Sequence, residues 1–337
     1  MDFAEKIALS CCKTCKTMSD TKKIKTLFIG SAELACPSLK ALYQAAFCDI
    51  SAVISQPPKP RGRSLISREC PVSAIASSIN LPVFTPHKIN APESVEKIAS
   101  FKPDLIVVVA YGQILSSSIL TIPSLGCINL HASLLPEYRG AAPIQWAIAN
   151  GNKVTGVTII FLNERMDEGD IIKQREEPIF DDDTAATLSC RLGEKGAELL
   201  LEVVSDIVRG NVKRIPQDHS KATYAPKLKK EDGLIDWKKS ASELERRIRA
   251  FNPWPGCHTQ IPLEEGACSL KIFRAKVELS PSALAVPGTV LEVKDGLIIQ
   301  TGENALRLLE VQAEGKKRMD CISFLCGHRV KPGIIIS

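Results

Sequence analysis

Asn129 and His131 stand two residues apart in Cys127-Ile128-Asn129-Leu130-His131-Ala132-Ser133-Leu134-Leu135-Pro136, an apolar run that ends in a polar loop. Side chains at i and i+2 of a β-strand leave the same face. Ile128 and Leu130 are therefore expected to pack inward while an amide and an imidazole point together across the strand end. Gly156–Leu162 reads as a second buried strand, and Met166-Asp167-Glu168-Gly169-Asp170 follows it. A carboxylate delivered there can accept a ring N–H of His131. Amide, imidazole and anion together suit a carbonyl oxygen that turns negative during acyl transfer. The set contains no nucleophile: Ser133 lacks a glycine elbow, and backbone or loop hydrogen bonding is its expected task.

The elements that must position these groups alternate. Ile24–Ile29 is a short strand closed by Gly30, Ser31–Phe47 has helical apolar spacing, and Asp49–Ser55 is the next strand. Ser94–Phe101 reads as helix, and Leu105–Ala110 and Cys127–Leu130 as strands. Such alternation predicts a parallel sheet with covering helices, whose ligands bind beyond the strand C-termini. Gly30, Tyr111, Asn129 and His131 would gather there. A nicotinamide site is not expected, because Gly30-Ser31-Ala32-Glu33-Leu34-Ala35 lacks the second and third glycines of the dinucleotide fingerprint.

Thr184–Val208 carries leucines at helical spacing and stops at Gly210, as a helix with a C-terminal glycine should. A polar, basic linker over 213–231 comes next. A helix over Ser242–Phe251 ends at Asn252-Pro253, and strand-like runs at Leu270–Phe273, Gly288–Val293, Gly296–Thr301 and Ala305–Val311 predict a small β-barrel.

With 337 residues and 45% apolar content the chain exceeds one typical domain, and two are expected. No apolar run reaches the roughly 20 residues that span a bilayer, so no membrane association is expected. The net charge of +5 is uneven: residues 213–337 hold 21 Lys+Arg against 15 Asp+Glu. Clusters at Lys227/Lys229/Lys230, Arg246/Arg247/Arg249 and Lys316/Lys317/Arg318 suit either a phosphate backbone or an ordinary solvated face. The twelve cysteines have no disulfide-framework spacing, and Cys12-Lys13-Thr14-Cys15 is a lone CxxC, so reduced thiols, a cytoplasmic location and no metal are expected. Residues 1–22 read as a disordered N-terminal extension, with Met18 as an alternative start that makes residues 1–17 dispensable.

Asn129-Leu130-His131-Ala132-Ser133-Leu134-Leu135-Pro136, then Tyr138-Arg139-Gly140-Ala141-Ala142-Pro143-Ile144-Gln145-Trp146 and Asp167-Glu168-Gly169-Asp170, resemble the methionyl-tRNA formyltransferase family. Ile235-Asp236-Trp237, Asn252-Pro253-Trp254-Pro255 and Pro287-Gly288-Thr289 extend that likeness to nearly everything from Lys25 onward. The first half alone is similar to formyl-folate transferases in general, including those acting on glycinamide ribonucleotide or an aminosugar. The second half matches the tRNA-directed members.

The resemblance implies an α/β fold: a Rossmann-like formyltransferase domain with a parallel-rich sheet over 23–212, the linker, and an OB-like β-barrel that grips tRNA over 232–337. It implies formyl transfer from 10-formyltetrahydrofolate to initiator methionyl-tRNA, with Asn129 and His131 stabilising the oxyanion and Asp167 orienting His131. Tyr111, Gly112, Ser133, Leu134, Leu135 and Pro136 are the expected folate-binding positions. Arg63, Arg61, Lys227, Lys229, Lys230 and Arg249 are the expected tRNA contacts, and a monomer is expected. Arg63 lies in Gln56-Pro57-Pro58-Lys59-Pro60-Arg61-Gly62-Arg63-Ser64, read as a mobile basic loop in which prolines and glycine prevent helix or central strand. There the family's Gly-Arg-Gly-Lys is replaced by Gly62-Arg63-Ser64-Leu65. Two other classes stay open: a formyl-folate enzyme with a small amine acceptor, and a noncatalytic RNA-binding protein.

Overall fold

The computed structural model describes residues 23–61, 66–264, 266–280 and 285–336. The expectations for residues 1–22 and for Gly62-Arg63-Ser64-Leu65 lie outside the described residues. The first half runs β1 (Ile24–Gly30), α1 (Cys36–Gln44), β2 (Cys48–Ile54), β3 (Lys59–Arg61), β4 (Ile66–Arg68), α2 (Pro71–Ser78), β5 (Val83–Phe84), α3 (Pro92–Ser100), β6 (Leu105–Val109), α4 (Ser117–Leu120), β7 (Cys127–His131), β8 (Arg139–Gly140), α5 (Pro143–Ala149), β9 (Val154–Phe161), β10 (Ile171–Pro178) and α6 (Ala185–Val208). Proline occupies the first positions of α1, α2, α3 and α5, where its missing N–H removes no intrahelical bond. The helix expected over Ser31–Phe47 is split: Glu33–Ala35 forms a 3-10 turn, and α1 starts only at Cys36. The loop expected between β2 and α2 contains a short antiparallel hairpin, with Pro60 opposite Ser67.

The main sheet has the order β10-β9-β7-β6-β1-β2-β5. Pairing is parallel from β5 through to β7 and antiparallel for β9 and β10. All five residues of β6 are buried, which explains a Val-rich run without alternation: both faces of the central strands are covered. Along β1, Leu27 and Ile29 belong to one core and Phe28 to the other. Ile128 and Leu130 join the core built with α6, as the i, i+2 spacing requires. Thr184 caps α6 by accepting the Thr187 N–H at 3.2 Å. Gly196 lets α6 approach the site strand, because a Cβ there would sit 2.6 Å from Leu130.

The second half comprises β11 (Tyr224–Ala225), α7 (Ala241–Ala250), β12 (Cys257–Leu263), β13 (Gly266–Glu278), β14 (Val290–Glu292), β15 (Leu297–Gln300), β16 (Ala305–Ala313), β17 (Met319–Asp320) and α8 (Cys321–Gly327). Its antiparallel sheet has the order β12-β13-β16-β15-β14, with β17 also on β16. Strand β12 was not anticipated. Its Cys257, Thr259 and Ile261 are buried in alternation, and Pro262 is tolerated because β12 ends the strand order.

The two halves are packed together. Trp146 of α5 meets Phe251 edge to face, with ring centroids 5.9 Å apart. Arg246 donates to Ala149 O at 3.3 Å, and Arg249 to Asp183 O at 2.8 Å. The linker is no loose tether. Ile215 and Ile171 exchange both backbone hydrogen bonds, at 2.8 and 2.9 Å, and β11 pairs in parallel with β8.

Arg191 of α6 donates to Glu177 at 2.9 Å and to both oxygens of Asp183 at 2.6 and 2.7 Å. Both carboxylates are almost wholly buried. Burial pushes their pKa values up, but the Arg191 hydrogen bonds, with Lys195 for Glu177 and the Phe180 N–H and Thr187 hydroxyl for Asp183, outweigh it and hold both below the usual range. A carboxyl with a depressed folded-state pKa contributes stability that is complete above its unfolded value, near 4, and is lost as pH falls through the folded value. Arg191→Leu is therefore expected to lower stability by about 3 kcal/mol at pH 7, and by progressively less below about pH 4. Urea melts from pH 7 to 3 test this; a deficit independent of pH would refute it.

Candidate functional site

β7 brings Asn129 and His131 to the C-terminal ends of the parallel strands. Asn129 pairs with Val108 of β6, and Gly30 at the end of β1 pairs with Val109. Tyr111 and Gly112 follow β6 directly. The side-chain amide of Asn129 is partly exposed and makes no hydrogen bond among the described residues, which leaves it available to a bound carbonyl.

His131 is buried, and its Nε2 lies 2.9 Å from Tyr138 O. A carbonyl only accepts, so Nε2 carries a proton and Nδ1 is the nitrogen left for chemistry. Nδ1 lies 3.7 Å from Asp167 Oδ1, an ion-pair distance rather than a hydrogen bond. The ring is thus held chiefly by Tyr138 O, a contact the sequence reading missed, with Asp167 facing the other nitrogen. Asp167 Oδ2 accepts the Gly140 N–H at 2.9 Å. Because β9 runs antiparallel to β7, with Phe161 beside Ile128 and Thr158 beside His131, Asp167 reaches the imidazole from the turn between β9 and β10 and not from the strand end expected.

Arg139 is 1% exposed. Its guanidinium pairs with Glu168 at 3.1 Å, donates to Gln217 Oε1 at 2.8 and 3.2 Å, and lies 3.2 Å from His219 Nδ1. Tyr138-Arg139-Gly140 was visible in the sequence only as part of a motif. Gln217, in a segment read as linker, carried no signal.

The expected folate-binding positions divide. Tyr111 is buried, its hydroxyl has no hydrogen-bond partner among the described residues, and burial pushes its phenol up to about 12. At Gly112, with φ +88°, an added Cβ would meet nothing within 4 Å. Leu134 is half-buried against Gly156, and Pro136 is half-buried after a cis peptide bond. Ser133 is fully buried with its hydroxyl donated to Glu137 O at 2.7 Å, and Leu135 is buried with Ile160 and Ile171. Those two side chains form the floor of the turn. Thr158 fixes that floor by donating to Ser133 O at 2.6 Å and accepting the Leu135 N–H at 3.1 Å.

The expected tRNA contacts divide too. Lys227, Lys229 and Lys230 are exposed. Arg249 is engaged internally, with Glu245 at 2.6 and 3.1 Å and with Asp183 O, because its helix face packs on the first half. Arg246 and Arg247 likewise reach Ala149 O and Asp232 O. Arg246 and Arg249 thus tie the two halves together, while Arg247 is tied within the second. Arg61 lies in β3, and Arg63 lies outside the described residues.

Residues 22–204 match the formyl transferase family and residues 227–329 the formyl transferase C-terminal domain. Among curated relatives, a methionyl-tRNA formyltransferase of Caldanaerobacter subterraneus is 43% identical over 93% of this chain and 100% of its own length. One from Symbiobacterium thermophilum is 46% identical over 92% and 94%. Among solved structures, an N-formyltransferase from Helicobacter canadensis in complex with folinic acid and dTDP-3-aminofucose superposes with a TM-score of 0.62, covering 85% of this chain and 99% of that one at 20% identity. HypX from Aquifex aeolicus in complex with tetrahydrofolic acid gives 0.59, covering 90% of this chain and 47% of that one at 19% identity. These structures share the fold. Full-length identity above 40%, on both domains and in one order, assigns the chain to the methionyl-tRNA formyltransferase family of one-carbon group transferases.

Proposed function

We propose that the protein transfers the formyl group of 10-formyltetrahydrofolate to the α-amino group of initiator methionyl-tRNA, as a cytoplasmic monomer. The single observation that carries this reading is that Asp167 faces the ring of His131, on the strand that also carries Asn129, within a two-domain chain of this family. The backbone at Gly112, where an added Cβ would meet nothing within 4 Å, is open to a flat ring. The co-substrate supplies an N-formyl carbonyl carbon to an attacking amine.

An α-amino group has an ordinary pKa of about 8, so a useful neutral fraction exists near pH 7. The Asn129 amide donates to the formyl oxygen as it gains negative charge. His131, anchored through its Nε2–H, donates to the same oxygen only as the imidazolium, through a second proton on Nδ1, and Asp167 beside that nitrogen orients the ring. The tetrahedral adduct collapses by breaking the bond between the formyl carbon and N10. The proton the amine loses passes by way of Asp167 to N10, so that tetrahydrofolate leaves with no covalent enzyme intermediate. The second domain supplies charge: Lys227, Lys229 and Lys230 are exposed beside it and would release counterions on meeting the acceptor end, to which Arg61 and Arg63 are further candidate contacts. The catalytic unit is 23–212 and the tRNA-gripping unit 232–337.

Purified protein incubated with formylfolate and methionyl-tRNA, initiator or elongator, is expected to yield formyl-methionine from the initiator alone. Tight tRNA binding without product, or equal formylation of a small amine, would overturn the reading.

A further inference from the structure

Asp167 has φ +56°, in the left-handed region that an L side chain seldom holds unaided. Its carboxylate is tied to Gly140, but its backbone is held from elsewhere. Gln217 Nε2 donates to Asp167 O and to Gly169 O, both at 2.8 Å. The Oε1 of the same amide accepts from Arg139 at 2.8 and 3.2 Å. Both N–H groups and both lone pairs of one amide are therefore used, at a residue 7% exposed. Arg139 in turn pairs with Glu168, so Gln217 and Arg139 together brace three consecutive residues of the turn, Asp167, Glu168 and Gly169. Gln217 is itself fixed by its neighbours in the chain: Ile215 bonds to Ile171 on one side, and Tyr224-Ala225 pairs with Arg139-Gly140 on the other.

We propose that Gln217 is a positioning residue for formyl transfer, which makes the segment joining the two domains a working part of the first domain's centre. This rests on the role proposed above for Asp167. Gln217 touches no reacting atom. It locks the left-handed turn, so that Asp167 faces His131 Nδ1 while Gly140 holds its other oxygen. A pull on the joining segment from the second domain reaches Asp167 through one amide.

Gln217→Glu keeps an acceptor for Arg139 but sets a carboxylate against two carbonyl oxygens, whereas Gln217→Met removes every polar contact. Both are expected to lower kcat about 10- to 100-fold, the scale of a misplaced catalytic group. The KM for formylfolate and for tRNA should stay within about twofold, since neither binding surface changes. Combined with Asp167→Asn, each should cause no further loss, because Gln217 acts through Asp167. Circular dichroism and thermal melting establish that the variants are folded, and Gln217→Glu, which retains the Arg139 partner, decides the matter should Gln217→Met unfold. Gln217→Glu at the wild-type rate, or losses that multiply in the double variant, would overturn the assignment. Asp167→Asn at the wild-type rate would instead remove the role of Asp167, an outcome distinct from a slow Asp167→Asn beside a fast Gln217→Glu.

Discussion

Asn129→Ala is expected to lower kcat by about 10²–10³ while leaving the KM for tRNA essentially unchanged. The magnitude follows from where the amide stands. It is partly exposed at a strand end, makes no hydrogen bond among the described residues, and so gives its donors wholly to a ligand. A donor aimed at an oxygen that becomes negative only as the amine attacks strengthens the transition state more than the bound substrate, so its loss appears in kcat. Fold stability should hardly move, because Ile128 and Leu130 on the opposite face are untouched. Steady-state kinetics with saturating formylfolate and initiator methionyl-tRNA measure this. Turnover within threefold of wild type would show that the oxyanion is stabilised elsewhere.

Gly169→Ala should be about as damaging, for a steric reason. A Cβ at Gly169 would lie 1.6 Å from Phe161 O and 2.8 Å from Phe161 C. Those atoms are the backbone of β9, and Phe161 also bonds to Asp170 O at 2.9 Å, so neither side can yield without separating the turn from the strand. The turn must lift, which withdraws Asp167 from His131 and breaks both bonds from Gln217. We expect kcat to fall at least about 100-fold, with about 1–3 kcal/mol lost from stability as an overpacked site relaxes. Single-turnover rates and denaturant melts separate the two effects. An alanine variant with normal rate and normal melting would mean that the turn does not need this close approach.

Much of this centre was legible because its chemistry lies on regular elements. The i, i+2 spacing of Asn129 and His131 fixes a shared face once Cys127–His131 is a strand, and Thr184 and Gly210 bracket a helix by the rules of its ends. The braces were not legible. Tyr138 acts through a carbonyl oxygen, which every residue has, and Gln217 acts from a polar stretch whose composition resembles any connection. The internal bonds of Arg249 were hidden for the opposite reason: a cationic side chain in a basic cluster looks free until the helix face on which it packs is known. The β3–β4 hairpin escaped notice because proline inside a strand is tolerated when the ladder is short and lies at an edge.

The packing of Trp146 has a practical consequence. Its indole N–H donates to Pro226 O at 2.9 Å and its ring abuts Phe251, so it lies where one half of the chain meets the other. Trp237 is enclosed inside the second half, and Trp254 is 59% open to water. The three indoles thus occupy a seam, an interior and the solvent, and an unlabelled chain carries its own optical gauge of whether the halves stay docked when nucleic acid arrives.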